Sequence, residues 1–292
     1  MAKKINKNLS EFEKFVLFEK GTERPFSGKF ENHFEKGIYV CKNCGISLYN
    51  SSSKFNSGCG WPAFDDEIPG AIRKQVDRDG IREEIVCSYC GAHLGHVFYG
   101  EGFTEKNVRH CVNSVSLDFV PEGGKSLIDR IFFAGGCFWG VKYLFRKLDG
   151  VVDTRVGYMG GKRKNPTYEQ VCTGVTGHLE TVEVIFDPKK LYEKTLIKYF
   201  FEIHDFTQEN GQGPDIGEQY KSAIFYTNDL QKKISEKLIQ ALKKKYNVVT
   251  QLRKASDFWV AEDYHQQYYE KTGKTPCCHV RFKLLKTWDG II

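Results

Sequence analysis

The sequence predicts two domains, a mostly antiparallel β domain followed by an α/β domain. The chain of 292 residues is long enough for both. A turn-rich segment, Pro121–Ser126, separates two differently patterned regions. The first region has short apolar runs and many glycines, cysteines and aromatic residues, whereas long helical patterns occur only in the second. We place the first domain at 1–121, with a core from about 11, a linker at 122–128 and the second domain at 129–292.

The first region contains few regular elements. One amphipathic pattern predicts a helix over Glu11–Phe18. Three short runs predict strands over Gly37–Val40, Ala71–Val76 and Val108–Val120. This composition favours paired antiparallel strands over helix packing.

Two cysteine pairs in this region have the spacing of metal-binding turns. They are Cys41-x2-Cys44 and Cys87-x2-Cys90, separated by 42 residues. Each pair can bind one side of a tetrahedral ion, and four thiolates leave no open position. The spacing predicts a structural zinc site that joins distant strands. Redox-active pairs or unrelated buried thiols are the alternatives.

A zinc-ribbon-like site also raises the minor alternative of a nucleic-acid-binding module, which requires a basic patch. Residues 1–128 carry 17 Lys and Arg and 17 Asp and Glu, so the net charge of +6 lies entirely in the second region. We therefore expect no nucleic-acid partner. No apolar run approaches a membrane span, and the basic N-terminus lacks an apolar signal core. We expect a cytoplasmic protein without a membrane partner.

The second region alternates strands and helices. Apolar runs predict strands at Ile131–Ala134, Val151–Gly157 and Thr181–Phe186. Helical periodicity predicts helices at Val141–Leu148, Leu191–Ile203, Leu230–Tyr246 and Ala261–Lys271. Asp229 is the predicted N-cap of the third helix.

The sequence Gly135-Gly136-Cys137-Phe138-Trp139-Gly140 lies between the first of these strands and the first helix. A helix N-terminus favours a thiolate, because its backbone N–H groups and dipole stabilise negative charge. Phe138 and Trp139 put two aromatic side chains beside the sulfur. The pattern predicts that Cys137 is a nucleophile that attacks a small apolar group. A buried structural cysteine is the alternative.

The first region contains a second candidate nucleophile, Cys111. In a strand, Arg109, Cys111 and Asn113 share one face, where the guanidinium would stabilise a thiolate. His93 and His96 follow the second cysteine pair and are available as acid or base.

A further thiol lies in the turn Gly58-Cys59-Gly60-Trp61-Pro62, next to an indole. A reactive cysteine, a partner cysteine and an aromatic wall fit a redox cycle through sulfenic acid and disulfide. A buried strand cysteine is the alternative for Cys111.

These motifs resemble the methionine sulfoxide reductases, and both families of them are represented. Residues from about 11 to 122 are similar to the B family in the four cysteines and in Gly58-Cys59-Gly60-Trp61-Pro62, His93-x2-His96 and Arg109-x-Cys111-x-Asn113-Ser114. Residues from about 129 onward are similar to the A family in Gly136-Cys137-Phe138-Trp139-Gly140, Val156-Gly157-Tyr158-x-Gly160-Gly161, Asn165-Pro166-Thr167-Tyr168, Gly177-His178-x-Glu180-x-Val182-Glu183-Val184, Asp215-x-Gly217-x-Gln219-Tyr220 and Ala261-Glu262-Asp263-Tyr264-His265-Gln266.

The resemblance implies a fusion in B-then-A order, with a two-sheet antiparallel β domain followed by an α/β sandwich. It implies reduction of methionine sulfoxide, free or in oxidised proteins, with the R epimer taken by the first domain and the S epimer by the second. A cysteine would become sulfenic acid and then a disulfide, which an external thioredoxin-like dithiol would reduce.

For the second domain the resemblance implies that Cys137 is the nucleophile and Glu180 the proton donor. Tyr168 and Tyr220 would bind the sulfoxide oxygen, with support from Asp215. Phe138 and Trp139 would surround the methyl group. In the tail, Cys278 would resolve the sulfenic acid, with Cys277 as the alternative. A disulfide between these two neighbours is the alternative that would put both assignments in doubt. We assign no role to Cys172 and expect it to be buried.

For the first domain the resemblance implies that Cys111 is the nucleophile, Cys59 the resolving thiol and His96 the proton donor. The residues that would order the site or bind the methyl group are His93, Arg109, Asn113 and Trp61. No carboxylate is expected to take part. A thiol peroxidase or general thiol–disulfide oxidoreductase remains an alternative, because it would use the same sulfenic cycle without the aromatic walls.

Overall fold

The computed structural model describes residues 5–276 and 279. The chain divides into two compact units, with the division after Ile128. No helix in the described part of the chain has the length and apolar character needed to cross a membrane.

The first unit contains one helix and nine strands among its described residues. They are α1 (Glu11–Glu19), β1 (Gly37–Cys41), β2 (Ser47–Asn50), β3 (Lys54–Phe55), β4 (Ala63–Phe64), β5 (Ile72–Val76), β6 (Glu83–Cys87), β7 (His93–Tyr99), β8 (Val108–Val112) and β9 (Leu117–Pro121). The strands form a three-stranded sheet, β2-β1-β9, and a six-stranded sheet, β3-β4-β8-β7-β6-β5. Every pairing is antiparallel, which confirms the predicted class.

Helix α1 begins where the sequence predicts. The Ser10 side chain accepts from the Glu13 amide, and the Glu13 carboxylate accepts from the Ser10 amide, so that two otherwise unpaired amides are satisfied. Val16 and Leu17 are buried. The helix ends at Glu19, and the C-cap residue Lys20 has a φ of +62°.

The predicted single strand Val108–Val120 is wrong. Strand β8 ends at Val112, a 3₁₀ turn occupies Ser114–Ser116, and β9 then joins the other sheet. The cause is the buried carboxylate of Glu23, which accepts from the amides of Ser114 and Val115. These amides are therefore not available to a continuous ladder.

The second unit has elements that alternate along the chain. They are β10 (Asp129–Ala134), α2 (Phe138–Phe145), β11 (Val151–Met159), α3 (Tyr168–Cys172), β12 (Leu179–Phe186), α4 (Glu193–Ile203), β13 (Gly211–Gln212), β14 (Asp215–Ile216), β15 (Ala223–Tyr226), α5 (Asp229–Lys243), β16 (Gln251–Lys254), β17 (Trp259–Val260) and α6 (Tyr268–Thr272). Six strands form one sheet in the order β16-β15-β10-β12-β11-β17. Its pairings are antiparallel except that of β15 with β16.

This sheet is covered on both faces. Strand β12 is buried at every position. On one face Phe133 stacks on Phe145 of α2 and Phe200 of α4, each with ring centroids 4.8 Å apart. On the other face Phe132 packs against Phe258. Burial on both faces explains the nearly continuous apolar runs in the sequence.

Each of the four predicted helices of this unit has at least one boundary that differs from the prediction. Helix α2 begins at Phe138 and ends at Phe145, which makes Cys137 its N-cap residue. The N-cap of α5 is Asn228, not Asp229, and its side chain accepts from the Gln231 amide. The predicted helix Ala261–Lys271 is reduced to α6, because residues 263–267 form turns.

Candidate active sites

The four predicted metal ligands lie together in the first unit. The Sγ atoms of Cys41 and Cys90 are 3.7 Å apart, as are those of Cys44 and Cys87, and all four lie within 4.8 Å of one another. All four residues are buried. Four sulfurs at about 2.3 Å from a tetrahedral zinc ion would be separated by about 3.8 Å. Two of the sulfur pairs already have this spacing, so the cluster is suited to such an ion.

The two cysteine pairs are held by turns of the same design. The Gly45 amide donates to the Cys41 carbonyl at 2.7 Å, and the Gly91 amide donates to the Cys87 carbonyl at 2.8 Å. Both glycines have positive φ, +78° and +75°, which a side chain would disfavour. One turn connects β1 and β2 of the smaller sheet, and the other connects β6 and β7 of the larger. The cluster therefore brings turns from the two sheets together.

A second thiol pair lies at β8. The Sγ atoms of Cys111 and Cys59 are 3.8 Å apart, and the Ser57 hydroxyl donates to Cys59 Sγ at 3.0 Å. Cys111 lines a cavity of about 260 Å³. Trp61, His93 and Asn113 are among the other residues of its wall. The structure thus brings the predicted nucleophile, the partner thiol and the indole together.

The charge of this thiol pair differs from the expectation. The hydrogen bond from Cys111 and the one from Ser57 lower the pKa of Cys59 to about 5, although burial opposes the shift. The pKa of Cys111 is raised, first by that bond to Cys59 and then by burial, and Arg109 offsets this only in part. The two sulfurs therefore share one proton, and these shifts favour the negative charge on Cys59, whereas the sequence predicted a thiolate at Cys111.

Each histidine of this site is held by a carboxylate that sequence reasoning did not include. His93 Nδ1 donates to Glu84 at 2.7 Å, and His96 Nε2 donates to Asp77 at 2.7 Å. Lys20 bonds to Glu84 and lies 3.8 Å from Asp77. Burial would raise the pKa of Glu84, but hydrogen bonds from Lys20, Gln75 and His93 lower it overall. The available signal was the position of Glu84 directly before the apolar residues Ile85 and Val86 of β6.

The remaining predicted residues of the first site are each held by hydrogen bonds of their own. Arg109 makes a bidentate ion pair with Glu101, at 2.7 and 2.8 Å, so its charge is partly neutralised. The side-chain oxygen of Asn113 accepts a hydrogen bond from the backbone amide of Glu23. The side-chain NH2 group of Asn113 donates to the backbone carbonyl of Leu94.

The indole Nε1 of Trp61 donates to the Glu23 carbonyl at 3.2 Å. Asn113 and Trp61 thus both hold the segment that follows α1.

In the second unit, Cys137 and Glu180 meet at the start of α2. The Phe138 amide donates to Glu180 Oε2 at 3.0 Å. Glu180 lies on β12 and is only 2% exposed. Burial, helped by the charge of Asp215, raises the pKa of Glu180 to about 8. The carboxyl group is therefore mainly neutral at pH 7.

The helix N-terminus does not make Cys137 a thiolate at rest. Burial raises the pKa of Cys137 to about 12, with further increases from Glu180 and Asp215. The amides of Trp139 and Gly140 lower it, as predicted, but by less. The predicted acidic thiol is therefore wrong for the resting state. Protonation of Glu180 removes one of the charges that disfavour the thiolate.

The two predicted tyrosines approach the same carboxyl group. Burial raises the pKa of Tyr220 to about 12, and the charge of Glu180 adds to this. Burial also raises the pKa of Tyr168, followed by its hydrogen bond to Cys172 and the charge of Glu180. Both hydroxyls are therefore donors at neutral pH. Cys172 is exposed, so its predicted burial is wrong.

The aromatic residues after Cys137 differ in exposure. Phe138 is 1% exposed and packs on Tyr158, with ring centroids 6.0 Å apart. Trp139 is partly exposed and stacks on Tyr268 at 3.7 Å. Of the two, Trp139 is the one that reaches the surface of the site.

The predicted resolving residues Cys277 and Cys278 lie outside the described residues. Their neighbour His279 is described and buried. Its Nε2 donates to the Gly135 carbonyl at 2.7 Å, and a Cβ at Gly140 would lie 2.3 Å from its Nδ1. His279 therefore packs on the turn that carries Cys137, and only glycine leaves space for it there.

Each unit holds a candidate redox cysteine near a hydrogen-bonded carboxyl or histidine group. This arrangement is typical of a cysteine-dependent oxidoreductase. Comparison with known proteins identifies the family. Residues 129–288 match the family described as peptide methionine sulfoxide reductase, and residues 9–121 match the SelR domain. The chain belongs to the peptide methionine sulfoxide reductase family, with the SelR, or B-type, domain before the A-type domain. This confirms the resemblance inferred from the sequence.

Individual relatives match the second domain. The peptide methionine sulfoxide reductase MsrA of Methanosarcina acetivorans is 48% identical over 177 residues, which are 59% of this chain and 94% of the relative. That of Methanothermobacter thermautotrophicus is 49% identical over 160 residues, 53% of this chain and 95% of the relative. The crystal structure of Mxr1 from Saccharomyces cerevisiae in reduced form is 35% identical, with a TM-score of 0.50, and covers 53% of this chain and 92% of its own.

The protein is therefore a methionine sulfoxide reductase with both activities. The B-type domain acts on the R epimer, and the A-type domain acts on the S epimer.

Proposed function

We propose that the second domain reduces the S epimer with Cys137 as nucleophile and Glu180 as proton donor. The observation that carries this proposal is a carboxyl group with a pKa of about 8, hydrogen-bonded to the amide that follows Cys137. A neutral carboxylic acid can give its proton to the sulfoxide oxygen as that oxygen becomes basic.

In this step the protons and electrons balance among Cys137, Glu180 and the substrate. The Cys137 sulfur bonds to the sulfoxide sulfur, and Glu180 protonates the oxygen. The oxygen is transferred to Cys137, methionine leaves, and the cysteine sulfur is oxidised by two electrons while the sulfoxide sulfur is reduced by two. The proton that Cys137 loses restores Glu180.

The surrounding side chains would bind the substrate. Tyr168 and Tyr220 keep their protons at neutral pH and would donate to the sulfoxide oxygen, with Asp215 supporting the site. Phe138 and Trp139 would form the wall around the methyl group.

Resolution of the Cys137 sulfenic acid would use the tail. Since consecutive Cα atoms are about 3.8 Å apart, the contact of His279 with the Cys137 turn supports Cys278 as the resolving thiol, with Cys277 as the alternative. Condensation releases water and forms a disulfide, which a thioredoxin-like dithiol then reduces.

In the first domain Cys111 would attack the R epimer, His96 would donate the proton and Cys59 would form the disulfide. The 3.8 Å spacing of the two sulfurs supports the pairing, and the position of Cys111 in the cavity wall supports its role as nucleophile. The two sulfurs share one proton, so either can carry the negative charge. His93, Arg109 and Asn113 would order the site, and Trp61 would bind the methyl group.

The four-cysteine cluster would hold a structural zinc ion through Cys41, Cys44, Cys87 and Cys90. With four thiolate ligands, zinc would join the two sheets and keep no open position for chemistry. We also propose that residues 122–128 connect the domains and that the protein repairs oxidised proteins and free methionine sulfoxide in the cytoplasm. Neither nucleic acid nor a membrane is needed for this role.

Comparison of two substrates would test the proposal against a thiol peroxidase. The full chain is assayed with methionine sulfoxide and with hydrogen peroxide, with dithiothreitol as the reductant. We expect kcat/KM for the sulfoxide to exceed that for peroxide by at least tenfold, and Cys111→Ser with Cys137→Ser should remove sulfoxide turnover. Equal or faster peroxide turnover would favour the peroxidase.

A further inference from the structure

One buried histidine of the second domain takes no part in the steps above. His265 is 1% exposed, and its Nδ1 accepts a hydrogen bond from Trp139 Nε1 at 3.1 Å. Its ring also packs against Tyr168 and Phe138, with centroids 4.4 and 5.1 Å away. His265 therefore contacts three of the side chains assigned to the substrate site.

We propose that His265 is a positioning residue that fixes the indole of Trp139 and thereby sets the preference for a methyl group on the sulfoxide sulfur. The inference rests on the proposed role of Trp139 as a wall of the methyl site.

The orientation of Trp139 needs two restraints, and the structure provides both. Its ring stacks on Tyr268 with centroids 3.7 Å apart and an angle of 3° between the planes. Stacking fixes the plane of the indole but allows it to slide or turn within that plane. A hydrogen bond at the ring edge removes this freedom, because it fixes where Nε1 points.

The hydrogen bond also fixes the protonation of His265. The indole N–H can only donate, so Nδ1 must be unprotonated and the proton must lie on Nε2. Burial lowers the pKa of His265, which favours this neutral form. Its Nε2 lies 4.0 Å from Glu262, beyond hydrogen-bond distance. Among the described residues, the hydrogen bond from Trp139 is therefore the polar contact of the His265 ring.

The backbone that carries His265 is itself anchored to the sheet. The neighbouring Gln266 side chain accepts from the Val156 amide at 3.1 Å and donates to the Val156 carbonyl at 2.9 Å. The His265 amide donates to the Glu262 carbonyl at 3.0 Å. An acceptor held in this way can define the position of the indole.

The consequence is a measurable specificity. An apolar pocket distinguishes substrates that differ by one methylene by roughly 10- to 200-fold, and only if its wall cannot move. Release of the indole should let the pocket accept an ethyl group in place of the methyl group.

The test compares S epimers of methionine sulfoxide and ethionine sulfoxide. The full chain carries Cys111→Ser to silence the first domain, and dithiothreitol is the reductant. His265→Phe keeps a ring of similar volume without the acceptor, whereas His265→Asn keeps an acceptor near Nδ1. Trp139→Phe removes the donor, and Tyr264→Phe is the matched control, since this exposed ring packs on His265 without joining the bond.

We expect His265→Phe to reduce the methyl-over-ethyl ratio of kcat/KM about fivefold, the effect of one lost hydrogen bond. The change should come from a raised KM for the methyl substrate and a lowered KM for the ethyl substrate, with kcat nearly unchanged. His265→Asn should recover most of the ratio, and Tyr264→Phe should leave it unchanged. Trp139→Phe should reduce the ratio too, and the double variant should lose no more than either single variant.

Two results would overturn the inference, and they are distinguishable. If Trp139→Phe reduces the ratio but His265→Phe lowers only kcat, His265 has a purely structural role. If neither variant changes the ratio, the assignment of Trp139 to the methyl site fails, and this inference fails with it.

Discussion

Replacement of Glu180 by glutamine should lower activity and raise stability at the same time. Glutamine keeps an oxygen for the Phe138 amide but cannot give up a proton. Loss of a general acid typically slows a reaction by about 10²- to 10⁴-fold, and we expect this loss for the S epimer only.

The stability gain follows from the raised pKa. The folded carboxyl group has a pKa of about 8, against 4.5 without the shift, so the native state binds more protons than the unfolded state between these pH values. The stability that the protonated Glu180 carboxyl group contributes below pH 4.5 is therefore lost progressively as the pH rises to 8. At pH 7 this loss amounts to about 3 kcal/mol, which glutamine would avoid because it does not ionise.

Glu183 provides the matched control on the same strand. It is fully buried and accepts hydrogen bonds from Arg130 and Arg155. Glu183→Gln leaves buried positive charge poorly compensated and should destabilise the domain by about 3–5 kcal/mol.

The assay combines S-epimer turnover with urea unfolding at pH 5, 7 and 9. We expect Glu180→Gln to differ little from the wild type in stability at pH 5, and to be clearly more stable at pH 7 and 9. A variant that is less stable at pH 7, or that keeps more than a tenth of the S-epimer activity, would refute the assignment of Glu180 as a buried neutral acid.

Three further predictions concern the metal cluster and the two redox sites. Cys87→Ser should lower the zinc content from about one ion per chain and destabilise the first domain, whereas Cys172→Ser should change neither; elemental analysis without zinc in the intact protein would contradict this. Peptide mapping after one equivalent of the S epimer should find Cys137 linked to Cys278, and a link to Cys172 would contradict the assignment. Glu84→Gln should reduce R-epimer kcat/KM by about 10- to 100-fold through loss of a charged hydrogen-bond partner of the histidine pair, with S-epimer turnover as the internal control.

The sequence predicted best the features that depend on local pattern. Helix α1 and strand β10 are visible in the sequence as a short helical pattern and an apolar run, and the spacing of the paired cysteines predicts that the four lie together. The break in the strand after Val112 was missed because its cause, Glu23, lies about 90 residues earlier in the chain.

The charge states of the residues in the two sites could not be predicted from local sequence patterns either. A helix N-terminus is visible in sequence, but the burial that outweighs it at Cys137 is a property of the folded domain. The carboxylate behind His93 was missed for the same reason, because Glu84 meets it only through strand pairing between β6 and β7.

The most direct test of the two-site account is turnover of separated epimers by single-cysteine variants of the full chain. A pocket with the proposed fixed positions for methyl and oxygen can present only one epimer to its sulfur. Cys137→Ser should abolish reduction of the S epimer and leave the R epimer largely unaffected, and Cys111→Ser should do the reverse, because no nearby group replaces a missing nucleophile. Reduction of both epimers at wild-type rates by either variant would contradict the account.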